Sequence, residues 1–165
     1  MDCRARLETY LQNNGVQFIE QSHRAAYTAQ RVAQAQDVPG KLLAKVTVVN
    51  ARGKLIMLVL PASGRVDFMK LRAVLDTVEV RLAAESEFEQ RFPDCDAGAM
   101  PPFGNLYNMP VYVDRTLTED EEIVFQAGTH RHTMTIAYKD YERLARPTVA
   151  DFAEHAPATP ELTPA

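Results

Sequence analysis

Leu43-Ala44-Lys45-Val46-Thr47-Val48-Val49-Asn50, then Ala51-Arg52-Gly53-Lys54, then Leu55-Ile56-Met57-Leu58-Val59-Leu60 is the stretch that decides the fold. A β-branched run, a turn carrying one glycine and a second apolar run read as a β-hairpin. The second arm is apolar at every position, which predicts a strand covered on both faces. One residue breaks the first arm. An ammonium in apolar surroundings is costly unless an anion or a strong acceptor meets it. Lys45 therefore either lies near a strand end and reaches water along its stem, or marks a functional site. Thr47 shares its face at period two, together with Leu43 and Val49, so a cation and a hydroxyl face one space.

Outward from the hairpin, residues 3–14 carry Leu7, Tyr10 and Leu11 at helical spacing, and Gly15 suits the position past a helix end. Residues 16–21 read as a short strand. Thr28 suits the cap of a helix over 28–36, closed by Pro39-Gly40. Asp67 suits the cap of a helix over 68–75. Residues 78–82 alternate as a strand, and 85–92 read as a helix stopped by Pro93. A long loop spans 94–108. Residues 111–114, 122–126 and 133–138 read as strands, 139–145 as a helix, and 149–155 as a further helical turn or two. The expected organisation is one α/β domain over 1–156 with a mixed sheet, followed by a disordered Pro/Thr-rich tail at 157–165.

The chain has 165 residues, of which 46 % are hydrophobic, enough for one sizeable core. No apolar run is long enough to span a bilayer, and the first residues lack the apolar centre of a signal peptide, so the expected place is the cytoplasm with no membrane partner. Cys3 and Cys95 are far apart and unpaired in spacing. They are read as neither a zinc framework nor a disulfide scaffold, which fits a reducing compartment. The net charge of −4 argues against general nucleic-acid binding, and no DNA partner is expected. Residues 1–81 nevertheless carry 12 Lys and Arg against 7 Asp and Glu, an excess that permits a local patch for a polyanion.

Two further segments could carry chemistry. The loop Asp96-Ala97-Gly98-Ala99-Met100-Pro101-Pro102-Phe103-Gly104-Asn105 combines a glycine, which lets a ligand approach backbone closely, with prolines that stiffen it. A rigid loop presenting N–H groups suits a developing oxyanion, although an ordinary connection has the same composition. In Ala127-Gly128-Thr129-His130-Arg131-His132, the two histidines point one way in extended backbone. A third metal ligand has no matching spacing, so no metal or cofactor is expected, and a histidine orienting a polar substrate group is the better functional reading. His23 and His155 carry no pattern. There is no nucleophile elbow, phosphate loop or dinucleotide fingerprint, so an enzyme here would work by positioning and polarisation.

Taken in order, Ala44-Lys45-Val46-Thr47, the 98–104 loop and Ala127-Gly128-Thr129-His130 resemble the YbaK/EbsC family. These are freestanding relatives of the editing domain inserted in bacterial prolyl-tRNA synthetases. The resemblance runs from about His23 to Phe152. It implies a single domain with a mixed, partly barrel-like sheet surrounded by helices, and hydrolysis of the ester joining a wrong amino acid to tRNA. The family's essential lysine falls on Lys45, its Gly-x-x-x-Pro loop on 98–102, its substrate-contacting histidine on His130, and a position that often carries a hydroxyl on Thr47. Ala99 stands where many members have a second glycine, and Pro101 where YbaK-like members have serine.

On that resemblance Gly98 N–H receives the charge on the ester oxygen and a protonated Lys45 anchors the ribose–phosphate or ester end. Met100, Pro102 and Phe103 border a pocket for a small side chain, alanine on proline tRNA foremost. Arg24, Arg31, Lys41, Arg52 and Lys54 are candidates to meet acceptor-stem phosphates, and prolyl-tRNA synthetase is a second candidate partner. Two rivals stand beside this reading. One is a non-catalytic module of the same fold that binds tRNA or a synthetase. The other is Schiff-base chemistry at Lys45, for which no acid/base partner is evident.

Overall fold

The computed structural model describes residues 2–22 and 43–154. The helix expected over 28–36, His23, His155 and the tail at 157–165 lie outside these described residues.

The elements are α1 (Cys3–Asn13), β1 (Ile19–Ser22), β2 (Leu43–Ala51), β3 (Lys54–Pro61), β4 (Arg65–Val66), α2 (Phe68–Leu75), β5 (Val80–Leu82), α3 (Glu85–Phe88), β6 (Val111–Asp114), β7 (Glu122–Gln126), β8 (His132–Ala137), α4 (Tyr138–Ala145), β9 (Thr148–Ala150) and β10 (Ala153–Glu154). Short 3₁₀ turns follow α3 and flank β6. The caps follow sequence chemistry. The Asp2 carboxylate accepts from Ala5 N–H, and the Asp67 carboxylate accepts from Met69 and Lys70 N–H. The segment 85–92 breaks after one turn, where the helix gives way to a 3₁₀ turn at Glu89–Arg91.

The sheet is mixed, in the order β1-β8-β7-β2-β3-β6-β9, with β5 added on β2. The β2–β3 hairpin is its centre, in continuous antiparallel register from Ala44↔Pro61 to Ala51↔Lys54. Two-sided burial of β3 follows from strict alternation. Leu55, Met57 and Val59 point into one core with Leu7, Leu11, Phe103, Phe125, Tyr138 and Tyr141, so α1 and α4 cover this first face. Ile56, Leu58 and Leu60 point into a smaller second core with Val49, Leu71 of α2 and Phe152.

Two expectations are corrected. Residues 149–155 do not add helical turns: β9 pairs parallel with β6, and β10 pairs antiparallel with β4. The cause is non-local. Asp114, 0 % exposed, accepts from Phe152 N–H at 3.1 Å, Ala153 N–H at 3.0 Å and both Thr116 N–H and Oγ1–H, which holds the chain extended beside β6. Asp114→Ala leaves those buried donors without an acceptor. It is expected to cost about 2 kcal/mol in a urea unfolding titration; an unchanged midpoint would show that this carboxylate does not organise the C-terminal strands.

The second correction concerns the cysteines. Cys3 and Cys95 form a disulfide across 92 residues of sequence, with Cα atoms 5.1 Å apart. Spacing cannot reveal this, because the bond joins the start of α1 to the loop after Pro93, where Cys3 N–H already donates to Asp94 O. Among the described residues no helix is long and apolar enough to cross a membrane.

Candidate active site

Lys45 lies where β2 changes neighbours. β7 runs parallel to β2 only at Leu43↔Val124 and Ala44↔Phe125. β5 takes up the same edge from Val49↔Leu82. Between them Lys45, Val46 and Thr47 have no strand on that side among the described residues, and all three are half-buried where their strand neighbours are buried. The sheet is split at the residue that broke the sequence pattern.

Alternation settles the faces. Ala44, Val46 and Val48 belong to the first core, so Lys45 and Thr47 look out on the second face, opposite Leu60 and Leu58 of β3. Partial burial pushes the Lys45 ammonium below the ordinary lysine range, and the nearby Arg65 guanidinium adds to the effect. Arg65 was not a candidate from sequence. It sits 20 residues away on β4, and only the turn of the chain after β3 brings the two cations together.

Gly98 and His130 are neighbours. A Cβ built on Gly98 would stand 3.6 Å from His130 Cε1, and Gly98 itself has φ +81°, a left-handed backbone that disfavours side chains. Backbone pairing locks the two loops: Asp96 N–H donates to Gly128 O, Gly128 N–H donates to Ala99 O, and Asp96 Oδ2 accepts from His130 N–H. Among the described residues Gly98 N–H donates to no protein acceptor. Gly128 is required for a steric reason, since a Cβ there would lie 2.5 Å from Cys3 Sγ. The disulfide thus sits beneath both loops. His132, the second histidine of the pair, has its Nδ1 2.7 Å from Thr129 Oγ1, a contact that shapes the turn.

The turn that carries His130 follows β7, whose last residue, Gln126, comes one position after the final β2–β7 pair, Ala44↔Phe125. Lys45 follows the last β2–β7 pair, and His130, in contact range of Gly98, lies on the turn after β7; the three are 53 and 32 residues apart in sequence. Met100, Pro102 and Phe103 support this loop from below. Met100 belongs to the first core, Pro102 O accepts from Tyr141 Oη–H at 2.9 Å, and Phe103, 0 % exposed, meets Tyr10, Phe125 and Tyr141 edge to face.

The proposed phosphate contacts separate into two sets. Arg52 and Lys54 are exposed at the β2–β3 turn, six or seven positions along the hairpin from Lys45, about 20 Å away. Arg24, Arg31 and Lys41 lie outside the described residues. A groove of about 560 Å³ between β1, β8 and the start of α4 includes Glu122 and Asp140, and none of the expected site residues.

Residues 23–144 match the family model of the aminoacyl-tRNA editing domain. The multifunctional Ser/Thr-tRNA deacylase ProXp-y of Escherichia coli (strain K12) is 26 % identical over 156 residues, covering 92 % of this chain and 93 % of that protein. A crystal structure described as that of a candidate trans-editing enzyme for prolyl tRNA synthetase superposes with a TM-score of 0.78 at 22 % identity, covering 93 % of this chain and 98 % of that one. The hypothetical protein APE2540 superposes with a TM-score of 0.81 at 19 % identity, covering 90 % of this chain and 99 % of its own.

Proposed function

The chain belongs to the aminoacyl-tRNA editing domain family, and on that premise we propose that it acts in trans on tRNA charged with a small amino acid, alanine on proline tRNA foremost. It is an aminoacyl-tRNA deacylase, and its substrate is therefore an RNA bearing an activated ester. The observation that supports the finer reading is the approach of His130 to Gly98 on the loops after β7, together with the end of β2–β7 pairing just before Lys45.

An aminoacyl ester needs modest help. Water attacks the carbonyl, the C=O electron pair moves onto oxygen, and the C–O bond to the ribose breaks as the ribose oxygen takes a proton. In this reading Gly98 N–H receives the negative charge. Lys45, still protonated, holds the ribose–phosphate or ester end, with Arg65 adding positive field from β4. Thr47 offers a hydroxyl on the same face, and His130 holds the polar end of the amino acid. Met100, Pro102 and Phe103 fix the loop that limits side-chain size. A second, tighter site that excludes the larger correct amino acid is a sound way to edit, because a synthetase pocket rejects smaller side chains weakly. Arg52, Lys54 and, from the undescribed part of the chain, Arg24, Arg31 and Lys41 are the proposed phosphate contacts, and prolyl-tRNA synthetase is a proposed partner.

The test is a deacylation panel: alanyl, seryl and cysteinyl esters of proline tRNA, with seryl and threonyl esters of other tRNAs beside them. Alanyl-tRNA(Pro) is expected to be cleaved fastest. Rapid release of serine or threonine with alanine left in place would overturn the alanine reading and align the chain with the selectivity named for its E. coli relative. Gly98→Val is expected to lower turnover roughly tenfold or more, because a β-branched side chain at φ +81° strains the loop by about 1–2 kcal/mol and presses on His130. Wild-type turnover in that variant would clear the loop of its assigned role.

A further inference from the structure

The face of the sheet that carries Lys45 and Thr47 holds a further polar side chain, buried more deeply. Gln126 closes β7 and is 7 % exposed. Its Nε2 is buried and finds no hydrogen-bond partner among the described residues. Alternation along β7 puts Ile123 and Phe125 in the first core, so Val124 and Gln126 look out on the second face with Lys45. The register reinforces this. Gln126 pairs with Thr133 of β8, and it follows Phe125, the partner of Ala44, as Lys45 follows Ala44 on β2. Lys45, Thr47, Gln126 and Thr133 thus share a face otherwise lined by Leu43, Val124, Leu58 and Leu60.

A buried amide N–H without an acceptor destabilises a fold, and such groups call for an explanation. Lys45, on the same face, cannot supply it, because an ammonium is donor only. Two donors of different kinds, one charged and one neutral, thus share this face, and what satisfies both must bring acceptor oxygens. The end of a charged tRNA does so: the ester carbonyl and the vicinal ribose hydroxyl lie within a few bonds of the terminal phosphate.

We propose that Gln126 is a substrate-binding residue of the deacylase site, its Nε2–H donating to an oxygen of the esterified terminal ribose beside the group held by Lys45. The proposal rests on the deacylase reading above. Sequence offers a faint signal for it, since Gln126 interrupts the apolar run Ile123-Val124-Phe125 much as Lys45 interrupts β2.

The decisive variant is Gln126→Met, similar in length and without a donor, with Gln126→Leu as a second should the first pack badly. If the amide serves substrate, the variant unfolds at the same or a higher temperature than the wild type, while kcat/KM on the fastest-cleaved aminoacyl-tRNA falls at least about tenfold. The same drop is expected in the affinity for a non-hydrolysable 3′-aminoacylamido adenosine. A substrate lacking the vicinal hydroxyl separates the two acceptors: a loss that persists assigns the carbonyl, and one that vanishes assigns the hydroxyl. Unchanged kcat/KM and unchanged analogue binding would make Gln126 a spectator and overturn the proposal. The wild-type rate measured alongside reports on the deacylase reading separately, and analogue binding still decides on Gln126 if that rate is nil.

Discussion

Lys45→Met is expected to reduce release of the amino acid from mischarged tRNA to the uncatalysed background while leaving the protein folded and more stable at neutral pH. The two effects have one origin. Lys45 is half-buried on an apolar face opposite Leu60, beside a second cation, and these surroundings disfavour its charged form. The folded chain therefore gives up this proton at lower pH than the unfolded chain. Between those two pKa values the unfolded state binds more protons, so the native state gains stability as pH rises through that window. Below it the full penalty is present. Methionine keeps the stem and removes the charge, so the variant lacks both the penalty and the pH-dependent gain. Partial exposure keeps the effect modest. If a protonated lysine holds the substrate, wild-type activity, corrected for spontaneous ester hydrolysis, falls as pH climbs towards the lysine range, and the fall begins below that range. Full activity in the Met variant would end the proposed role of this residue; a rise of activity with deprotonation would instead make the free amine the working form.

Breaking the Cys3–Cys95 bond, by Cys95→Ser or by a reductant, is expected to lower stability by about 2–4 kcal/mol, or roughly 5–15 °C in the thermal midpoint. The bond closes a span of 92 residues, so its loss frees a large part of the unfolded ensemble. Local consequences follow too. Cys95 adjoins Asp96, whose carboxylate holds His130 N–H and whose own N–H meets Gly128 O. The loss of activity on gentle warming should therefore come earlier in the reduced protein than in the oxidised one. Equal thermal midpoints with and without reductant would show that the two sulfurs contribute no crosslink to the native state.

The hairpin and its two covered faces were legible in sequence because alternation at period two is a local property that every strand declares. The same rule put Lys45 and Thr47 on one face, and local hydrogen-bonding chemistry gave the cap at Asp67. The C-terminal segment was misread as helical because its extended form is imposed by Asp114, some 38 residues away.

Local pattern thus established which residues share a face, where turns fall, and that one cation interrupts an apolar strand. Tertiary structure alone decided that β7 releases the edge of β2 just before that cation and that β5 takes it up beyond Thr47. It likewise decided that Arg65 acts on that cation, and that two distant cysteines meet beside the Gly98 and Gly128 loops. The physical reason is that periodicity follows from the geometry of a single chain segment. Register between segments is chosen by the summed packing of the whole domain, which no window of residues contains.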